Sequence, residues 1–197
     1  MNNWLKKVVF ASGLLCSAVT FASPINIING GFEGIGINGW FTEPGPLSPY
    51  VANQLTQHGT RYTAAEGNQF AVLPANSSIR SETNWQAGDT ISFKWLALDA
   101  IDPTFQIYEE DLAVTKTLGL IGDAGVWHEF SYTFQDSVNP NLPSFVGFQG
   151  FSKGGPDALL LVDDVKITRI PVPATLGLAL LGIGLMARQR HNRKNTA

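Results

Sequence analysis

Thr90-Ile91-Ser92-Phe93-Lys94-Trp95-Leu96-Ala97-Leu98 decides the fold. Side chains along an extended chain alternate between two faces. Ile91, Phe93, Trp95 and Ala97 therefore share one face, with Ser92 and Lys94 on the other. The pattern recurs across 126–135, where His128, Phe130, Tyr132 and Phe134 oppose Glu129, Ser131, Thr133 and Gln135. This is the period of a half-buried antiparallel strand. Further β-rich runs read as strands at 25–29, 69–73, 77–83, 105–109, 114–118, 144–151 and 159–168, separated by Gly, Pro, Asn and Asp clusters. Pro44, Pro46 and Pro49 around Gly45 mark 42–49 as a loop. No stretch of this body sustains a helical period. The pattern predicts an all-β protein, an antiparallel β-sandwich of eight or nine strands and of the jelly-roll kind.

Composition places targeting pieces on either side of that body. The chain has 197 residues, 44% apolar and 15% charged, enough for one domain with a sizeable core. All 16 acidic residues lie between Glu33 and Asp164, and residues 23–170 hold only seven basic ones, a net of −9. Such a globule lacks the basic face that phosphate contacts need, so nucleic acid is not a partner. Lys6-Lys7, an apolar run from Val8 to Val19 and small residues at Thr20 and Ala22 read as a signal peptide, residues 1–22, cut after Ala22. Cys16, the one cysteine, lies within it, which leaves the body with no disulfide and no thiol chemistry.

The other end, 171–197, opens with Pro171-Val172-Pro173-Ala174-Thr175. A short apolar helix is expected at about 175–187, and 188–197 form a basic tail. The run from Leu176 to Ala187 gives roughly 18 Å of helix, shorter than the ~20 residues that span a bilayer comfortably. Arg188, Arg190, Arg193 and Lys194 would stay on the cytoplasmic side. The segment resembles a PEP-CTERM sorting region, with Val172 where that family usually carries Glu. The resemblance implies an exported protein of a Gram-negative, exopolysaccharide-making bacterium. It also implies a membrane anchor and processing by an exosortase-type enzyme. A permanent single-pass anchor is the alternative.

The body carries a second resemblance. Ile28-Asn29-Gly30-Gly31-Phe32-Glu33, Asn38-Gly39-Trp40 and the closing Val162-Asp163-Asp164-Val165-Lys166-Ile167 resemble galactose-binding-like jelly rolls, a group that includes many carbohydrate-binding modules. In that group the opening and closing segments pack together, and some members hold a structural calcium there. The resemblance implies Glu33 and Asp163 as its ligands. The residues themselves leave two readings. The alternation 159, 161, 163, 165, 167 puts Asp163 in phase with the core, where an unpaired carboxylate costs several kcal/mol. Either a cation or backbone amides must compensate it.

Other motifs are weaker. Gly34-Ile35-Gly36-Ile37-Asn38-Gly39 has no helix after it and reads as a turn rather than a nucleotide site. Glu109-Glu110-Asp111 is the only hint of a glycan hydrolase, and adjacent strand residues point to opposite faces. His58 and His128 form no metal-spaced pair and suggest no triad. Trp85, Tyr50 and Tyr62 lie in loop-like contexts and are the candidates for a ligand face. The expected function is an exported, non-catalytic cell-envelope or extracellular-matrix β-sandwich protein. The alternative is a carbohydrate-binding module for exopolysaccharide.

Overall fold

The alternation at 90–98 holds in space. In the computed structural model, which describes residues 23–25, 27–109, 113–153 and 157–169, Ile91, Phe93, Trp95 and Ala97 all enter one core. No helix occurs among the described residues, and residues 24–169 form a compact unit of their own. The signal segment, the sorting motif 171–175 and the tail lie outside the described residues.

Two sheets make the sandwich. The first contains β1 (Ser23–Ile25), β3 (Tyr50–Ala52), β6 (Phe70–Pro74), β8 (Thr90–Leu98), β11 (His128–Thr133) and β13 (Leu159–Arg169), in the order β11-β8-β13-β6-β3 with β1 also against β13. The second contains β2 (Phe41–Glu43), β7 (Ser78–Glu82), β9 (Ile101–Glu109), β10 (Ala113–Gly119) and β12 (Phe145–Ser152), in the order β10-β9-β12-β7-β2. A separate hairpin pairs β4 (Gln54–Gln57) with β5 (Thr60–Thr63). His58 and Gly59 at its tip both have positive φ, 50° and 77°, the geometry of a tight two-residue hairpin turn. β2 to β5 are only three or four residues long, and carry too little apolar alternation to be read from sequence.

Between the sheets, Phe93 meets Phe105, Phe130 and Phe148 at centroid distances of 4.7–5.3 Å. Each such ring, fully buried, contributes roughly 1.5–3 kcal/mol over its exposed state. The six-stranded sheet is also buried on its other face. Phe70, Val72, Leu96, Leu98 and Leu161 form a second cluster, covered by Leu55 and Tyr62 of the hairpin and by Trp127. That explains the unbroken apolar runs at 70–74, 95–98 and 159–162, since a strand covered on both faces loses its alternation.

The closing strand departs from the expected phase. Leu160 and Val162 enter the main core, then Val165 and Ile167 do so. Between them β13 spends three steps, Asp163 to Lys166, where β8 spends two, Lys94 to Ser92. This bulge, with Asp164 at φ 51°, switches the phase. Asp163 therefore shares the side of Leu161 and faces away from the main core, although it is fully buried. The opening and closing segments do meet. Val165 N donates to Gly30 O at 2.9 Å, and a Cβ on Gly30 would lie 2.0 Å from Val165 O, so only glycine fits there.

Candidate functional site

The outer face of the five-stranded sheet is the surface built like a binding site. Alternation sends Phe105 and Ile107 of β9 inward and leaves Thr104, Gln106 and Tyr108 facing out. On β12, Val146 and Phe148 go in, while Phe145, Gly147, Gln149 and Phe151 face out. Register places Gly147 between Gln106 and Arg80, and Arg80 beside Phe41 of β2. The middle of the face is therefore a strip of amides, a phenol and a guanidinium on a glycine floor.

The strip is internally bonded. Tyr108 OH donates to Gln106 Oε1 at 2.5 Å, and Gln106 Nε2 donates to Gln149 Oε1 at 3.0 Å. Thr104 Oγ1 donates to Gln149 O at 3.0 Å. Arg80 Nη1 donates to Glu43 Oε1 at 2.5 Å, and the guanidinium carbon lies 5.9 Å and 5.7 Å from the Tyr108 and Phe145 ring centres. Arg80 Nε is buried without an acceptor, a donor left unused. Burial pushes the Tyr108 phenol above its ordinary range; Glu43 adds to that and Arg80 opposes it. At Gly147 a Cβ would sit 3.0 Å from Tyr108 Cε2 and 2.9 Å from Ile79 O, so glycine lets the ring lie against the backbone.

The middle is buried and the rim open. Gln106 and Tyr108 keep 5% and 6% of their surface exposed, against 53% for Phe41 and 43% for Phe151. Phe41 sits edge-on to Phe145 at 5.7 Å. Apolar rings at the ends and directional hydrogen-bonding groups between them suit a polyhydroxylated, ring-faced molecule.

The aromatic candidates from sequence do not gather here. Trp85 is 1% exposed and stacks on Phe134 at 4.5 Å and 16°, so it is a core residue and not a platform. Its neighbours Asn84 and Gln86 stay exposed while the indole turns in, which made a polar turn of the local sequence. Tyr62 packs under the hairpin in the second cluster. Tyr50 is 43% exposed at the rim of the other sheet, on the side of Val72, and burial raises its phenol. Glu109 ends β9, and Glu110 and Asp111 lie outside the described residues. The residues missed from sequence, Arg80, Gln106, Tyr108 and Gln149, had one signal: uncharged amides in mid-strand, in Phe105-Gln106-Ile107 and Phe148-Gln149-Gly150.

Glu33 and Asp163 act on one loop from two sides. Asp163 Oδ2 accepts the peptide N–H groups of Ala65 and Glu66, both at 2.9 Å, and Oδ1 accepts that of Asp164 at 2.7 Å. Glu33 Oε1 accepts those of Asn68 and Gln69, at 2.5 and 2.9 Å. Gly67 lies between, where a Cβ would meet Glu33 Oε1 at 2.3 Å. Burial pushes the Asp163 carboxyl up to about 6; the amides of Glu66, Asp164 and Ala65 pull it down, and the Asp164 charge raises it. The Glu33 carboxyl is lowered by the Asn68 and Gln69 amides. Lys94 stands opposite Asp163 in register, but its ammonium turns to Glu66 at 3.4 Å and Asp164 at 4.0 Å. In this structure peptide N–H groups face these carboxylates: both oxygens of Asp163 and one of Glu33 accept them. Among the described residues no three His, Cys, Asp or Glu side chains gather as a metal site.

No family model matches the chain. No curated protein matches it either. Solved structures do. TmCBM61, solved in complex with β-1,4-galactotriose, matches with TM-score 0.53 and 13% identity over 75% of this chain and 99% of that one. A Stig cyclase, Fisc from Fischerella sp. TAU, matches with TM-score 0.53 and 14% identity over 77% and 100%. The K3 cleaved adhesin domain of Lys-gingipain from Porphyromonas gingivalis W83 matches with TM-score 0.50 and 15% identity over 75% and 99%. At these identities the likeness is one of fold, a β-sandwich module.

Proposed function

We propose that this chain is an exported, non-catalytic module that binds a neutral polysaccharide across the outer face of its five-stranded sheet. The observation that carries the reading is the bonded strip of Tyr108, Gln106 and Gln149 on the Gly147 floor, with exposed Phe41 and Phe151 toward opposite ends. From Phe145 to Phe151 β12 runs about 20 Å, at about 3.3 Å per residue, long enough for several sugar units of a linear chain. Each amide offers both a donor and an acceptor, as sugar hydroxyls require. A galactotriose-bound protein among the fold relatives supports the choice of glycan.

Retention of the full chain on immobilised exopolysaccharide tests it. Gln106→Ala with Gln149→Ala weakens retention at least tenfold, while Trp85 and Tyr50 variants that fold keep it. Equal retention by the double variant overturns the reading. Export and anchoring rest on the end segments. Mass spectrometry of the protein from its native host is expected to find Ser23 as the first residue. It also shows whether the chain ends near Pro171–Thr175 or keeps its basic tail. An intact Met1 on protein recovered from the cytoplasmic fraction rules out the export half of the proposal.

A further inference from the structure

A polar groove lies on the opposite side of the molecule, outside the hairpin. It is an open groove of about 530 Å³ whose lining includes Asn53, Gln54, Arg61, Thr63, Gly67 and Asn68. The size falls within the roughly 300–1,000 Å³ of small-molecule sites. Its lining follows from the hairpin register. Leu55 and Tyr62 point into the second cluster, so Gln54, Arg61 and Thr63 take the outward side.

Both walls are fixed from a distance. The loop wall, with Gly67 and Asn68, is held by Glu33 and Asp163 through four of its peptide N–H groups. The hairpin wall is fastened at its tip, where Gln57 Nε2 donates to Asp99 Oδ2 at 2.5 Å and to Asp157 O at 2.8 Å. His58 Nε2 lies 3.2 Å from Asp99 Oδ2. A groove held this way loses little entropy when it binds.

Charge sets its preference. Of the seven basic residues in 23–170, Arg80, Lys94, Lys153, Lys166 and Arg169 are each paired with a carboxylate. Lys116 gives its ammonium to Tyr132 OH at 2.7 Å. Arg61 is left, and among the described residues no carboxylate pairs with it. An unpaired guanidinium fork flanked by Asn53, Gln54 and Asn68 amides and the Thr63 hydroxyl matches a carboxylate on a polyhydroxylated ring.

We propose that this groove is a second site, selective for a carboxylated sugar, a hexuronate unit of an acidic polysaccharide. The choice of a sugar rests on the glycan-binding reading above; the site and its charge preference do not. Calorimetric titration of the full chain with trigalacturonate and with an uncharged galacto-oligosaccharide tests it. Trigalacturonate binds the native chain and the Gln106→Ala, Gln149→Ala variant alike, and binding weakens as salt rises from 50 to 500 mM, in line with screening of an exposed charge pair. Arg61→Gln loses at least tenfold for trigalacturonate and nothing for the uncharged oligosaccharide. Arg61→Lys, which keeps the charge without the fork, falls between, and an unchanged melting temperature shows that both variants fold. Unchanged trigalacturonate binding in Arg61→Gln overturns the inference, as does its displacement by an equal concentration of sulfate. If only the uncharged oligosaccharide binds, this site falls and the outer-face reading stands. If neither binds, both fall.

Discussion

The two sheets use their outer faces differently. The six-stranded sheet turns Phe70, Val72, Leu96, Leu98 and Leu161 outward and covers them with the β4–β5 hairpin and Trp127. The five-stranded sheet turns Tyr108, Gln106, Gln149 and Arg80 outward and leaves a rim with Phe41 at 53% and Phe151 at 43% exposed. A fully apolar face must be buried against something, and here the chain supplies its own cover. The polar strip bonds largely to itself and is buried, and the aromatic rim around it stays exposed. One face holds the fold and the other is the proposed binding face, so stability and binding should separate on substitution.

The largest separation is expected from Phe70→Ala, which empties the second cluster and costs about 3–5 kcal/mol in urea unfolding. Below its melting point that variant keeps polysaccharide retention. Gly147→Ala tests the reverse. Its Cβ crowds Tyr108 and the β7 backbone, costs about 1–3 kcal/mol as overpacking does, and abolishes retention. Full retention with Gly147→Ala would break the comparison. Asp163 predicts an unusual pH response. Its carboxyl is raised from 3.8 to about 6, so the folded chain holds that proton more tightly than the unfolded one. This contribution to stability grows as pH falls from above 6 to below 4, on the order of 2 kcal/mol. Glu33 works the other way; its lowered carboxyl contributes above the ordinary value of 4.5 and loses that as pH falls through its folded value. Melting curves from pH 7 to 5 should therefore flatten in Asp163→Asn relative to the native chain. Tyr108→Phe removes one hydrogen bond of the strip, costs about 0.5–1.5 kcal/mol, and weakens retention severalfold. The smallest expected effect is that of a calcium chelator at neutral pH, which leaves the melting temperature unchanged where peptide N–H groups are the only partners of the Asp163 carboxylate. A drop of several degrees would restore the cation between Glu33 and Asp163.

Legibility followed pattern strength. The long strands at 90–98, 128–133 and 159–169 were visible because one or both of their faces are buried along most of their length. The strip was not, because Gln106 and Gln149 are unremarkable until β9 and β12 are paired and Gly147 falls between Gln106 and Arg80. Trp85 misled for the opposite reason, since polar neighbours hid an inward indole. Asp163 was read one face off because a bulge leaves no mark in the local alternation.

By itself the sequence determined the all-β class, the acidic body and the apolar runs and basic residues of the two ends, since periodicity and charge are local properties of a chain. Tertiary structure decided which polar groups share a face, which carboxylates meet peptide N–H groups, and that Arg61 stands in a groove where no carboxylate among the described residues pairs with it. Those are contacts between residues tens of positions apart. Pairing register and a single bulge set them, and neither can be read from any one segment.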